Sequence, residues 1–292
     1  MEKNLSALGF MSGTSGDGVD SSVISSNGKD SIIIKYNRFD TYPSELSNKI
    51  HRIKENVSKM QDLLKYSSKI EELEREITDF HVNIAIKISK QINYDLIGFH
   101  GHTIYHNSDE KISKQIGLGT SLSRKTNKTV VYNFRQNDIK NGGEGAPLAP
   151  IYHFALIKTL LKENKVKIPI SILNIGGIAN ITEIDKDFKI SSRDIGPGNC
   201  LIDKWMRKNS NKAFDKDGNF AMKGKIDKFI FDQYMDNYYY SKINSRRSLD
   251  TNDFDISFAK GLSLENGTTT ITDLTSELLS LIHISEPTRP NN

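Results

Sequence analysis

The chain has 292 residues, 36% of them hydrophobic and 26% charged, and a net charge of +4. This length predicts about two domains and is ample for a core built without disulfides. No apolar run approaches the roughly 18 residues of a membrane helix. Cys200, the only cysteine, excludes an internal disulfide and a cysteine-rich zinc site and is predicted to pack in the core. Basic and acidic residues are interleaved, which favours a mixed solvated surface over nucleic-acid binding. We therefore expect a cytoplasmic protein without a membrane or nucleic-acid partner.

The first part of the chain predicts three strands followed by helix. LSALGFM, VDSSVIS and SIIIKYNRF are strand-like runs joined by the turns SGTSGDG and SNGKD, an order that predicts an antiparallel opening. Residues 44–91 carry apolar residues at spacings of three and four, which predicts helix with Ser44 as its cap. YDLIGFHGHTIYH predicts a buried strand ending in a histidine-bearing turn, and KTVVYNF predicts a further short strand.

The second part repeats the opening pattern after the loop RQNDIKNGGEGAPLAP. Residues 151–165 predict a helix. IPISILNIGGIANITEI predicts a strand, a glycine turn and a strand, while DFKISSRDIGPGN adds a strand and a loop. CLIDKWMRKN and TTTITDLTSELLSLIH predict two further helices. Each half therefore opens with a strand, a glycine turn and a second strand.

The glycine turns are candidates for phosphate binding. Residues 13–18 combine three glycines, two hydroxyls and one carboxylate. Glycine lets backbone N–H groups approach an anion closely, and a carboxylate beside phosphate needs a metal ion, usually Mg²⁺. For any single turn the alternative is a hairpin that requires positive φ. The further turns at Gly176-Gly177 and at 194–198 favour phosphate binding, and the absence of GK[ST] after these glycines disfavours a Walker site.

Asp194 is the candidate general base. It ends a short predicted strand and precedes Gly-Pro-Gly and a helix, so its carboxylate is held rigidly beyond the strand end. A carboxylate in this position can accept a proton from water or from a sugar hydroxyl. An Asx turn or a helix cap is the alternative.

The histidines of HGHTIYH and the following arginine are candidates for substrate binding. His100 and His102 stand two residues apart and could bind a metal, but no further ligand pattern supports this, so we predict no metal site at these histidines and assign no metal-ligating residue. Hydrogen bonding to a polar substrate, or a turn histidine, is favoured. Arg135 could bind a carboxylate through two hydrogen bonds, and its alternative is an ion pair with Asp138.

Six motifs occur in order: MSGTSGDGVD, IGFHGHTIYH, GGEGAPLAP, NIGGIANIT, DIGPGNCLID and FDKDG. Together, from about Leu8 to Glu277, they closely resemble the anhydro-N-acetylmuramic acid kinases of bacterial peptidoglycan recycling. These enzymes belong to the acetate kinase, sugar kinase, Hsp70 and actin superfamily. The resemblance implies an α/β fold of two ribonuclease H-like lobes, 1–140 and 141–282, with ATP in the cleft between them. It leaves the second lobe incomplete and 283–292 as a tail outside the family pattern.

The resemblance also implies a reaction. ATP and water open the 1,6-anhydro ring of 1,6-anhydro-N-acetylmuramic acid and phosphorylate O6, giving N-acetylmuramic acid 6-phosphate and ADP, with Mg²⁺ as the metal and a homodimer as the assembly. Asp194 matches the family's catalytic Asp, which activates the water that attacks C1. His100, Thr103 and Arg135 match the sugar side, with Arg135 toward the lactyl carboxylate. The residues matched to nucleotide binding are Gly13, Thr14, Ser15, Gly16, Asp17, Gly18, Val19, Asp20, Asn174, Gly176, Gly177 and Asn180.

The sequence also departs from the family pattern. Gly16 stands where these enzymes usually carry a bulky apolar residue, which predicts a looser first hairpin, and Asn133 replaces a usual Asp near the sugar side. Family members continue for several dozen residues with a Gly-rich adenosine-binding segment, which is not readable after Leu281. The alternative function is therefore a catalytically inactive truncated fragment or pseudoenzyme that binds sugar or a partner without turnover.

Overall fold

The computed structural model describes residues 4–13, 15–239 and 248–280. The nucleotide-site candidate Thr14 and the tail 283–292 lie outside the described residues. Two compact units are present, Met1–Ile172 with Thr182–Ser191 and Leu173–Ile181 with Ser192–Asn292. They do not divide at residue 140, where the sequence predicts the lobe boundary. The helix that follows residue 149 packs against the third strand and so belongs to the first unit.

The first unit is built on a mixed six-stranded sheet. Its order is β3-β2-β1-β4-β5, and β6 pairs with β4. The first three strands are antiparallel, as the sequence predicts, whereas β1, β4 and β6 run parallel to one another. This arrangement confirms the predicted α/β class and fits the ribonuclease H-like topology. The strands are β1 (Leu5–Ser12), β2 (Gly18–Ser26), β3 (Ile32–Thr41), β4 (Leu96–Asn107), β5 (Ile112–Ile116) and β6 (Thr129–Tyr132).

Helices cover this sheet, and their apolar faces form the core of the first unit. The fully buried side chains of Ile50 and Ile77 lie in one cluster with Leu8, Val23 and Phe99 of the strands. Burying a large aliphatic side chain contributes about 1.5–3 kcal/mol, so this cluster stabilises the unit strongly. The helices are α1 (Ser44–Asn56), α2 (Met60–Lys65), α3 (Ser67–Ser89), α4 (Gly119–Thr126), α5 (Phe134–Lys140) and α6 (Pro150–Lys162).

The helix predicted over 44–91 is interrupted. Val57 and Lys59 adopt extended backbone conformations, and the Asp62 carboxylate accepts hydrogen bonds from the amides of Ser58 and Lys59 to begin a new helix. The prediction that Ser44 caps the first helix is wrong. Pro43 occupies the cap position, without a side-chain hydrogen bond, and Ser44 is the first residue of the helix itself.

The helices of the second unit pack around the side chain of Trp205. Trp205 is buried, and its indole N–H donates to the carbonyl oxygen of Leu264 at 3.0 Å. Cys200 is also buried, which confirms the predicted packing cysteine. A three-stranded sheet in the order β7-β8-β9 carries the second glycine turn. Residues 170–172, 182–184 and 190–191 of this sheet belong to the first unit, and the rest of the sheet belongs to the second. The strands are β7 (Ile170–Ile175), β8 (Ile178–Ile184) and β9 (Ile190–Pro197), and the helices of the second unit are α7 (Cys200–Asn209), α8 (Lys228–Tyr239) and α9 (Leu264–Ser280).

Among the described residues, no helix has the length and the hydrophobicity that crossing a membrane requires.

Candidate active site

The first glycine turn is held by hydrogen bonds to its own backbone and to α1. The amide of Gly16 donates to the carbonyl oxygen of Gly13 at 3.1 Å, and the Ser47 hydroxyl donates to the carbonyl oxygen of Gly16 at 2.7 Å. Gly16 has a φ of 61°, and a Cβ added there would lie 3.2 Å from the ring of His51. A larger residue at position 16 would therefore combine a left-handed backbone with a close contact to α1.

Packing requires glycine at some positions in and beside the two turns but not at others. At Gly18 an added Cβ would lie 2.5 Å from the carbonyl oxygen of Asp40, and at Gly198 it would overlap the carbonyl oxygen of Gly176. The packing of the chain requires glycine at these two positions. At Gly13 and Gly176 an added Cβ would have no neighbour closer than 3.5 Å, and neither has positive φ. The fold itself therefore does not require glycine at 13 or at 176.

Two carboxylates are exposed on the first hairpin. Ser15 donates its hydroxyl to the Asp17 carboxylate at 2.7 Å. Partial burial, and then the negative charge of Asp17, raise the pKa of the Asp20 carboxyl above its usual value. Val19 between them is fully buried, so only its backbone can face a ligand. Paired carboxylate oxygens suit Mg²⁺, which usually takes one or two protein carboxylates and fills its other positions with phosphate and water. No cluster of three or more His, Cys, Asp or Glu side chains that could hold a metal occurs among the described residues.

A buried hydrogen-bond network holds the base of the first hairpin. The Ser12 hydroxyl lies 2.9 Å from the Tyr42 hydroxyl and 2.7 Å from Nδ1 of His102. Burial, and then the positive charge of Lys54, lower the pKa of His102 well below its usual value, so the ring stays neutral. Sequence reasoning missed Ser12 and Tyr42. Nothing in their local sequence pattern shows that β1, β4 and the end of β3 meet.

His100 lies beside Arg135 in the first unit. Nε of Arg135 donates to Nε2 of His100 at 2.9 Å, and Nδ1 of the same ring lies 3.0 Å from the carbonyl oxygen of Gly101. Nδ1 therefore carries the ring proton. Burial, and then the charge of Arg135, lower the pKa of His100 to about 4. Thr103 is buried, and its hydroxyl lies 3.4 Å from the side-chain amide of Gln115.

The prediction of a histidine-bearing turn is wrong, because β4 continues through all three histidines to Asn107. Its register against β1 shifts here, so that Phe10 faces Phe99 but Ser12 faces His102. Gly101 absorbs the extra residue with a φ of 73°. His100 and His102 consequently reach different partners, although they stand two residues apart in the sequence.

The segment around Arg135 is shaped by two polar side chains. Asn133 occupies the cap position of α5 with a φ of 64°, a conformation that asparagine adopts more readily than most residues. The Asp138 carboxylate accepts a hydrogen bond from the amide of Gly145 at 2.8 Å. It thereby holds the loop 141–149 against the end of α5.

The second glycine turn is held through its carbonyl groups. The amides of Gly198 and Cys200 donate to the carbonyl oxygen of Gly177 at 2.9 and 3.2 Å, and the amide of Asn199 donates to that of Gly176 at 2.8 Å. The turn is thus bound to the start of α7. The neighbouring candidates are Asn174, exposed on β7, and Asn180, half-buried on β8.

Asp194 lies on β9 in the second unit and is 7% exposed. Its Oδ2 accepts a hydrogen bond from the amide of Leu249 at 2.7 Å. This partner is 55 residues away in the sequence, so no local pattern could have revealed it. This hydrogen bond orients the carboxylate group.

Comparisons with known proteins identify the family. The model of the anhydro-N-acetylmuramic acid kinase family matches residues 5–283. Proteins named anhydro-N-acetylmuramic acid kinase are similar to this chain over most of its length. The protein from Pelagibacter ubique is 44% identical, covering 96% of this chain and 74% of that protein. Those from Rhizobium etli and Brucella canis are 35% and 34% identical, covering 91% and 97% of this chain and 72% and 77% of the relatives. The chain belongs to the anhydro-N-acetylmuramic acid kinase family.

This family member distributes its candidate residues over both units. The first unit brings together the turn after β1, the network around Ser12, and the pair of His100 and Arg135. The second unit brings together the turn at 176–177, the start of α7, and Asp194 with Leu249. The resemblance of the six motifs is confirmed over the matched length.

Proposed function

We propose that this protein transfers the γ-phosphoryl group of ATP to O6 of 1,6-anhydro-N-acetylmuramic acid while water opens the anhydro ring. The products are N-acetylmuramic acid 6-phosphate and ADP, and the reaction serves peptidoglycan recycling in the bacterial cytoplasm. Membership in this kinase family supports the phosphoryl transfer, and the names of the relatives support the sugar. The resemblance further supports a homodimer, which light scattering on the purified protein would detect.

The glycines at 13 and 176 carry the proposal of phosphate binding. Each lies in a turn between two strands, and at each the fold alone would accept a Cβ. A ligand that approaches the backbone closely gives glycine a role that packing does not give it. Hydrogen bonds from backbone N–H groups of such turns suit the oxygens of a nucleotide phosphate.

Alanine at Gly13 or Gly176 is expected to weaken nucleotide binding without unfolding the protein. The added methyl group should keep the phosphate away from the backbone N–H groups of the turn. Losing one hydrogen bond to a charged phosphate costs about 1.5–3 kcal/mol of binding free energy, which is roughly a 10- to 150-fold rise in Kd. Calorimetric titration of each variant with ADP and Mg²⁺ measures this rise, and thermal unfolding measures stability. Gly9→Ala is the matched control, because its added Cβ has no neighbour closer than 3.9 Å and it lies within β1. Unchanged Kd values in both turn variants would contradict phosphate binding by these turns.

Asp194 supplies the proposed general base. With Oδ2 held by Leu249, the second carboxylate oxygen accepts a proton from the attacking water. The water oxygen bonds to C1, the bond between C1 and O6 breaks, and O6 takes the phosphoryl group as ADP leaves. Asp17 and Asp20 of the first hairpin would hold Mg²⁺, which neutralises charge on the phosphates.

Arg135 is proposed to bind the lactyl carboxylate of the sugar. Its Nε is engaged by His100, which fixes the plane of the guanidinium group. His100 remains neutral above its lowered pKa of about 4 and therefore continues to accept this hydrogen bond near neutral pH. A guanidinium group held in this way suits a planar carboxylate better than a flexible ammonium group does.

Arg135→Ala is expected to raise the KM for the sugar by about 10- to 150-fold, the loss of a charge-assisted hydrogen bond of about 1.5–3 kcal/mol. The value of kcat should change much less, because the carboxylate is remote from C1 and O6. Steady-state ADP release at varied sugar concentration measures both constants. Arg124→Ala, on the exposed face of α4, is the matched control. An unchanged KM would contradict the assignment.

The function itself is tested by incubating the protein with ATP, Mg²⁺ and the anhydro sugar. Mass spectrometry should detect a sugar that has gained both one water and one phosphoryl group, with an equal amount of ADP. The alternative of an inactive fragment predicts neither product. No observation favours that alternative, since Asp194 and both glycine turns are present.

A further inference from the structure

A buried segment without regular strand structure lies beside Asp194 in the second unit. Residues 248–256 form no helix or strand apart from a short 3-10 turn, Thr251–Asp253. The buried side chains of this segment are Ser248, Leu249, Thr251, Phe254 and Ile256. Buried backbone groups outside helices and sheets must find hydrogen-bond partners elsewhere.

Lys204 supplies two of these partners. Its ammonium group donates to the carbonyl oxygen of Thr251 and, at 2.8 Å, to that of Phe254. The stem of the side chain rises from α7, four residues after that helix begins. Burial lowers the pKa of Lys204 below its ordinary value. These two hydrogen bonds from Lys204 to backbone carbonyl oxygens join the segment to α7.

The same segment holds the proposed general base. The amide of Leu249, two residues before Thr251, donates to Oδ2 of Asp194. Asp194 lies on β9, and β9 leads directly through residues 198–199 into α7. The segment therefore forms hydrogen bonds to consecutive elements of the chain, through Leu249 to β9 and through Lys204 to α7.

A second set of hydrogen bonds orders the turn but acts within the segment. Asp250 accepts from the amide of Asn252 at 2.9 Å, and its own amide donates to the Asp253 carboxylate at 2.8 Å. These bonds shape the turn without connecting it to another element. Apolar side chains of the segment pack in one cluster with apolar side chains of α7, and Lys204 adds hydrogen bonds between α7 and the segment.

We propose that Lys204 is a positioning residue for Asp194. By fixing the carbonyls of Thr251 and Phe254, it keeps the amide of Leu249 on Oδ2 and so holds the Asp194 carboxylate in position. This inference rests on the proposed function for its catalytic consequence. Its structural content, the coupling of Lys204 to the Leu249 amide, can be measured without turnover.

The experiment compares Lys204→Met, Lys204→Arg and the wild type. Methionine keeps the length of the stem and removes the donors, whereas arginine can again donate to two carbonyls. Lys212→Met, on the exposed loop after α7, removes the same charge and is the matched control. The readouts are the proton chemical shift and hydrogen exchange of the Leu249 amide, assigned with the help of Asp194→Asn. Steady-state kcat and KM for the sugar are measured on the same samples.

In Lys204→Met we expect the Leu249 amide to move upfield and to exchange at least about tenfold faster, as a weakened charge-assisted hydrogen bond would. We expect kcat to fall about 10- to 100-fold, as for a catalytic group misplaced by up to about 1 Å, with KM unchanged. Lys204→Arg should restore both properties in large part, and Lys212→Met should behave as the wild type.

An unchanged Leu249 amide in a folded Lys204→Met variant would overturn the inference. A lowered kcat that Lys204→Arg does not restore, with the amide unaltered, would overturn it as well. If even the wild type shows no turnover, the proposed function fails, whereas the amide readout still decides whether Lys204 holds the segment. If Lys204→Met does not fold, Lys204→Gln, whose shorter side chain carries an amide in place of the ammonium group, takes its place, and an unchanged Leu249 amide in that variant overturns the inference.

Discussion

Asp194→Asn is expected to lower kcat by about 10²- to 10⁴-fold, the usual contribution of a positioned general base. The substitution keeps an oxygen that can accept the hydrogen bond of the Leu249 amide, so the second unit should fold as before. It removes the basicity that the attacking water requires. Because ring opening and phosphoryl transfer meet at the same oxygen, O6, both should fail together. Product analysis by mass spectrometry, beside ADP release, measures the two events separately.

Asp187→Asn is the control for this substitution. Asp187 is exposed in the turn between β8 and β9, seven residues before Asp194 in the sequence. The variant therefore removes the same charge away from the proposed base. Its kcat should equal that of the wild type. Formation of a phosphorylated sugar whose anhydro ring is intact, by Asp194→Asn, would contradict a single base that serves both events.

Gly198→Ala is expected to have the largest effect on stability. The added methyl group would overlap the carbonyl oxygen of Gly176, which belongs to the backbone and cannot rotate away. Relieving the overlap must separate the glycine turn from the start of α7, where three amide hydrogen bonds join them. Overpacking of this kind costs about 3 kcal/mol, which corresponds to a fall in Tm of roughly 6 to 12 °C. Differential scanning calorimetry measures this fall.

The informative comparison is Gly176→Ala, on the opposite side of the same contact. Its added Cβ would lie 3.5 Å from the nearest atom, so its Tm should stay close to that of the wild type. The two variants therefore separate glycine required by packing from glycine left free for a ligand. Equal losses of Tm in both would refute this distinction.

The strand order could be anticipated because the runs were strongly patterned. The first three strand-like runs are joined by short turns that contain glycine, which favours hairpin connections, so the antiparallel order of β1, β2 and β3 could be predicted. The interruption of the long helix could not be predicted from the sequence. Val57 and Lys59 lie in a stretch of ordinary helix formers, and the break depends on Asp62, whose carboxylate offers the backbone another partner.

The candidate site was only partly readable, for a related reason. Glycine turns and the Asp194 motif are local, so their residues could be named from spacing and from the family resemblance. The partners that orient them are distant: Leu249 for Asp194, Ser12 for His102, and Lys204 for the segment of Leu249. Contacts between residues so far apart in the sequence form only when the whole unit folds, and a short stretch of sequence does not predict them.

Gly101 shows how much one residue without a side chain can decide. An added Cβ there would overlap the carbonyl oxygen of Ile116, and the positive φ carries the extra residue of β4. In a regular strand, His100 and His102 would lie on the same face and could bind one cation together. The irregular backbone gives one imidazole to the guanidinium of Arg135 and the other to the hydroxyl of Ser12. Loss of this single glycine would therefore change the hydrogen-bond partners of both histidines at once.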